Sequence, residues 1–362
     1  MIQITKEESR AITIVKVLCM FGVVYIHAAI KMYMNCPPSM TVYYDLLTRV
    51  LPSFAVPGFF MCSGFLFYKN YDGIEAYFPK AKSRIRSLVV PYVFWISFTL
   101  FVTWFLQDVL GFAKLFGAGE MKLIHDFSAT DFARAYWNLR DGEPFLSTMW
   151  FLKDLIVCVF IAPLLYVLLK PKWCGVITMS CIVVLSLFGY SIATISISSI
   201  LWFAVGGGVA IHGLKVFAWI KNHTTILFLL SIIFIVYGTS IYNEYAAQSC
   251  FRSAIWLLMT IIVFCCLLSV SLKIVDKSVG AKLMSLGVPS YFIYLAHEPY
   301  MGYVLQMILK AIKHSSIAVK QTTIMAIPIL YPILIILICL GVFKLLRAVM
   351  PRALSVVVGG KV

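Results

Sequence analysis

Apolar runs about as long as a membrane is thick recur through this chain, and nothing else in it limits the fold so severely. The first, Ala11 to Ile30, reads AITIVKVLCMFGVVYIHAAI. Twenty residues at about 1.5 Å each make a helix that can cross a hydrocarbon layer of roughly 30 Å. Comparable runs cover residues 48–68, 88–110, 147–169, 174–192, 195–214, 223–242, 253–272, 285–308 and 321–347. A bilayer core offers no water to backbone N–H and C=O groups, so runs of this kind become helices. The expectation is an all-α polytopic membrane protein of about ten transmembrane helices, with residues 1–362 as a single membrane-embedded domain. Composition agrees, since 62% of the residues are hydrophobic and only 12% are charged. A soluble domain carries about twice that share of charge.

An even number of spans puts both termini on one side. Basic residues concentrate in cytoplasmic loops and choose that side. With both termini inside, eighteen of the thirty lysines and arginines fall on cytoplasmic segments and ten on outer ones, so N-in and C-in is predicted. These loop charges account for the net charge of +15, which taken alone would also suit nucleic acid. The expected surroundings are membrane lipids, with no nucleic-acid partner. The 112–146 connection lies outside in this topology and is long enough for a lid or a short surface helix. The polar start, MIQITKEESR, runs into a full-length span, unlike a cleavable signal peptide. Most of the ten cysteines sit in or beside spans as small hydrophobes, without metal-type spacing, and no metal is expected. Cys36 and Cys250 fall in outer loops, where a disulfide could form.

Ionisable groups inside the spans are the informative exceptions, because burying them is costly unless they face a polar interior. Lys16 and His27 are eleven residues apart, about 1100° at roughly 100° per residue, so they share one helix face about 16 Å apart. They can line a polar path, or Lys16 can snorkel and His27 can hydrogen-bond a neighbouring helix. The second span, VPGFFMCSGFLF, holds the helix-weakening pairs Pro57-Gly58 and Ser63-Gly64. Ser63 as a nucleophile would need a nearby base, which the local sequence lacks. Lys80, Lys82, Arg84 and Arg86 either hold a loop inside or cradle phosphate, for which the arginine fork is suited. Trp150 and Asp154 are one turn apart in the fourth span, and Asp154 needs a partner on another helix or belongs to a site. In the ninth, His297 and Glu298 precede Pro299, which interrupts the helix at mid-membrane, with Tyr294 one turn before. The triplet Gly206-Gly207-Gly208 reads as close helix packing.

These pieces, in this order, resemble the membrane acyltransferase-3 family, integral-membrane enzymes that acylate glycans, lipid-linked sugars and some small molecules. The first-span motif, a basic residue and then histidine eleven positions on, matches at Lys16 and His27. The second-span pattern matches at Pro57, Phe59, Phe60, Ser63, Gly64 and Phe65. Arg84 and Arg86 before Pro91-Tyr92, then Trp150-Phe151, then Tyr294 with His297, complete the set. Two departures are a lysine where the family mostly has arginine, and an Arg-x-Arg spacing where Arg-x-x-Arg is common. The second leaves open which arginine meets the donor. Many members carry an appended esterase-like domain, and this chain resembles the stand-alone form.

The resemblance implies transfer of an acyl group, commonly acetyl, from cytoplasmic acyl-CoA to a hydroxyl of a surface glycan, lipid-linked sugar or small molecule. His27, the histidine of the first span with Lys16 on its face, is the expected general base, and His297, also buried and motif-matched, is its rival. Arg84, Arg86 and Lys82 would hold the donor phosphates, and Trp150, Asp154, Glu298, Tyr294 and Ser63 would face substrate. The implied location is the bacterial cytoplasmic membrane. A histidine's ordinary pKa near neutrality suits proton transfer from a hydroxyl. The competing reading is a proton-coupled secondary transporter, for which a broken ninth helix with buried His297-Glu298 would serve.

Overall fold

The computed structural model describes residues 4–28, 38–111, 122–140, 142–243, 249–298, 300–312 and 315–360. Cys36 lies outside these, and with it the pairing expected with Cys250. The described chain is overwhelmingly helical. Among the described residues, five helices are long and apolar enough to span a membrane: Lys6–His27, Met40–Tyr68, Ile74–Val109, Cys250–Ile274 and Met325–Val349. Counting three bent pairs as single spans raises this to eight. The runs expected at 174–192 and 223–242 form the shorter apolar helices Lys172–Leu187 and Thr224–Ser240. At 16 residues, the first of these is only about 24 Å long. Apart from a short antiparallel pairing of Ser191–Ile192 with Ile195–Ser196, the described residues are those of a helical, multi-pass membrane protein.

The helices that build the site are α1 (Lys6–His27), α2 (Ala55–Tyr68), α3 (Ile74–Arg84), α4 (Val90–Trp104), α5 (Trp150–Phe160) and α6 (Ile197–Ile211). They are joined by α7 (Gly287–Ala296), α8 (Tyr300–Ile312), α9 (Ile317–Val349) and α10 (Pro351–Val357). The hub is α1. Ala11, Ile14, Val15, Val17, Cys19, Met20 and Val24 are fully buried, covering every side of it. A helix apolar all round belongs in an interior. Its start is secured by a capping box, with Thr5 Oγ1 accepting from the Glu8 amide at 3.1 Å and Glu8 Oε2 accepting from the Thr5 amide at 2.7 Å. Ion pairs of Arg10 with Asp276 (2.8 Å) and Lys221 with Glu7 (2.6 Å) tie that end to later segments.

The basic segment expected to be a loop is helical. A wide π-type turn, Ile85–Val89, joins α3 to α4. Pro91 has no N–H to offer the Ser87 carbonyl four residues back. The Tyr291 hydroxyl takes that carbonyl instead, at 2.7 Å, and so fastens α7 to the start of α4. The surface helix expected within 112–146 is Ala129–Tyr136, begun by a capping box of Ser128 and Asp131. Hydrogen bonds from Lys122 and Ser128 hold the Asp131 carboxyl below the usual carboxylate range. This connection returns along α4, where Tyr136 meets Ser97 at 2.7 Å and accepts from the Tyr92 hydroxyl.

Close packing of α2 on α6 depends on glycine. A Cβ on Gly64 would overlap the Phe203 carbonyl, and one on Gly206 the Met61 carbonyl. Gly207 faces the Tyr68 ring, while Gly208 faces open space. The packing role expected of the triplet holds for its first two members. Gly206→Ala should therefore force the two backbones apart and destabilise by about 1–3 kcal/mol, the usual cost of overpacking. Gly208→Ala should be neutral or stabilising by up to about 1 kcal/mol through helix propensity. Thermal unfolding of the purified variants measures both, and equal midpoints would contradict the close approach of α2 and α6.

Candidate active site

Residues 270 positions apart meet where α1 ends and α7 stops. Thr13 of α1 lies against Gly287, and the His27 ring is 5.1 Å from that of His297, so the two helices run side by side in one direction. Helix α7 ends at Ala296, leaving His297 and Glu298 in a non-helical step before α8, as the sequence expects at Pro299. His27 Nδ1 stands 3.8 Å from Glu298 Oε1. That separation is too long for a hydrogen bond and makes an ion pair only when the imidazole is protonated.

His297 is anchored differently. Its Nδ1 lies 2.8 Å from the Tyr294 carbonyl and 3.1 Å from that of Ile293. Carbonyls only accept, so this nitrogen carries hydrogen and donates. Nε2 is buried and has no hydrogen-bond partner among the described residues. Buried polar atoms without partners are uncommon and mark places where a further group is accommodated.

Toward the start of α1, Lys16 lines a cavity of about 130 Å³ together with Ser63, Arg84, Tyr291 and Tyr294. The cavity brings together two cations and, with Ser290, four hydroxyls from α1, α2, α3 and α7. Its wall toward the histidines is aromatic. Phe59 and Phe60 of α2 lie 5.7 Å and 4.7 Å from Phe151 of α5, ring to ring, and Phe151 lies 5.6 Å from Tyr294. Such separations suit tilted and edge-to-face aromatic contacts. The Tyr294 hydroxyl donates to the Thr148 carbonyl at 2.7 Å, and its ring is 6.3 Å from His297. Tyr294 thus stands between the cationic cavity and the histidine pair.

Other expected site residues lie apart from these. Asp154 is fully engaged at the α5–α6 contact, where Oδ2 accepts from the Ser199 hydroxyl (2.7 Å) and the Ser196 amide (3.3 Å). Lys153, 3.8 Å from Asp154, donates to the carbonyls of Gly142 and Thr194. Of the two openings left by the sequence, the structure places Asp154 in an interhelical polar network. Trp150 is half-buried at the head of α5, packed against the hydrophobic core. Lys82 is exposed on α3. Arg86 is exposed beside the C-terminal segment, where a Cβ on Gly360 would come within 3.1 Å of its Nε. Two residues apart on a helical path, Arg84 points toward Lys16 and Arg86 toward the segment that holds Gly360.

Arg49, a charged neighbour of His27, belongs to none of the sequence motifs. It sits in a second wide turn, Leu46–Val50. Tyr291 was also missed, because its role depends on a carbonyl freed by a proline two hundred positions earlier.

Among known families, residues 9–343 match the acyltransferase-3 model, described as an acyltransferase domain. No curated protein and no solved structure matches the chain significantly.

Proposed function

This chain belongs to the acyltransferase-3 family, and we propose that it moves an acyl group from acyl-CoA to a hydroxyl of a glycan, lipid-linked sugar or small molecule. The observation that carries the reading is the alignment along α1. A cationic cavity at Lys16 and Arg84 lies toward one end, and a histidine pair with a carboxylate at the other. The donor phosphates are held at the first, where a guanidinium can make paired hydrogen bonds. The thioester reaches past Tyr294 to the second. There His27 takes the proton of the attacking hydroxyl, with Glu298 at its Nδ1 steadying the imidazolium that forms. His297, tied to backbone carbonyls, positions the reacting groups. Acetyl is the group the family commonly transfers, and the cytoplasmic face of a bacterial inner membrane is where acyl-CoA would enter.

The test is release of CoA thiol by the purified full-length protein, supplied with acyl-CoA and a glycolipid-rich membrane extract as acceptor. Thiol release dependent on both, with a new ester in the extract, is expected. Absence of release with every acyl-CoA and acceptor tried would overturn the assignment, and accumulation of solute in proteoliposomes without thiol release would point to a carrier.

A further inference from the structure

A second and much larger cavity lies on the opposite flank of α7, with a volume of about 630 Å³. Trp95 and Phe292 form its inner wall, Ile335 to Leu346 of α9 its length, and Leu354 of α10 its floor. The eleven residue-to-residue steps from Ile335 to Leu346 correspond to about 16 Å of helix. Apart from His297 at one end, the lining side chains are apolar or, at Cys339, a thiol. His297 is only 2% exposed, and its Nε2 has no hydrogen-bond partner among the described residues. A cavity of this size falls in the range of built ligand sites.

We propose that this cavity receives the alkyl chain of the acyl group, so that the preferred donors are medium- and long-chain acyl-CoAs. This rests on the acyl-CoA reading above. The two cavities approach each other at the end of α7, where Tyr294 lines the first and His297, just beyond that end and 6.3 Å away ring to ring, lines the second. A donor with its phosphates at Arg84 and its carbonyl at the histidine pair has one apolar direction in which to continue, past His297 and along α9. Acetyl would leave that length unused. Phe94, Phe98, Ile338 and Val342 of its lining are exposed, so the cavity is open along one side. In the reaction the acceptor oxygen forms the new C–O bond and the C–S bond breaks. The hydroxyl proton passes to His27 and then to the departing CoA sulfur.

The experiment is equilibrium binding of acetyl-, hexanoyl- and decanoyl-CoA to the purified full-length protein. Affinity should rise with chain length by up to roughly fourfold per buried methylene, from about 0.8 kcal/mol each. Ala353→Trp, on the cavity floor, should remove at least tenfold of the decanoyl-CoA affinity and leave acetyl-CoA binding unchanged. Val342→Trp, at an exposed position on α9, is a second obstruction with the same expected outcome should the first fail to fold. Equal affinity for the three thioesters, or a chain-length gain intact in the folded tryptophan variants, overturns the assignment of this cavity alone. Failure to bind any of the three removes the acyl-CoA reading as well.

Discussion

His27→Ala should abolish turnover while acyl-CoA binding and thermal unfolding remain close to those of the unaltered protein. The expected loss is at least about a hundredfold, the usual size of a general-base contribution. His27 is half-buried at the end of α1, and its Nδ1 faces Glu298 at 3.8 Å. Nothing in the packing of α1 depends on its ring as it does on Val24 or Met20, which are fully buried. The donor's phosphate cavity at Lys16 is about three turns away. His297→Ala should leave measurable residual turnover, because its Nδ1 is committed to the carbonyls of Ile293 and Tyr294 and its role is to position. Glu298→Gln should fall between the two, keeping the shape of the site and losing the charge that steadies the imidazolium. Single-turnover kinetics with a fixed acceptor would rank the three. Full activity of His27→Ala alongside complete loss in His297→Ala would exchange the roles, and activity in both would end the assignment of chemistry to this pair.

Donor affinity should separate two arginines that are only two residues apart. Arg84→Ala is expected to weaken acyl-CoA binding by roughly ten- to a hundredfold, as for a charge-assisted hydrogen bond of about 1.5–3 kcal/mol. Arg86→Ala should change it by less than about threefold, the scale of an exposed charge of up to about 0.5 kcal/mol. Arg84 shares a cavity with Lys16, Ser63 and Tyr291, while Arg86 lies beside Gly360 at the chain's end. Salt should diminish the Arg84 contribution only partly, since groups inside a cavity are screened less than surface ones. Direct titration at two ionic strengths measures both effects. Equal losses in the two variants, or a larger loss for Arg86, would place the phosphates at the exposed mouth instead.

Much of this was legible in the chain as written, for physical reasons that can be named. Apolar runs long enough to cross a membrane become helices wherever they sit, because an unpaired backbone group is too costly in lipid. A separation of eleven residues puts Lys16 and His27 on one face of any helix. Pro91 withholds a hydrogen bond from Ser87, and Gly206 leaves room for a neighbouring backbone, whatever the neighbour is. These are properties of the local chain.

Which neighbour arrives is not local, and there only the tertiary structure decided. The two histidines are 270 positions apart, and no periodicity relates them; the packing of α7 along α1 puts their rings 5.1 Å apart. Asp154 carries the same signature in sequence as Glu298, a carboxylate inside an apolar span. One meets Ser199 of α6 and the amide of Ser196 just before it, and the other meets His27. Arg84 and Arg86 are interchangeable by composition. Two residues apart on a helical path, they point to opposite sides, and the packing of α1 and α7 decides which side becomes the cavity, so Arg84 lines it and Arg86 does not. A buried charge needs a partner wherever it lies. The sequence therefore announces that a partner exists, while its identity follows from how the helices pack.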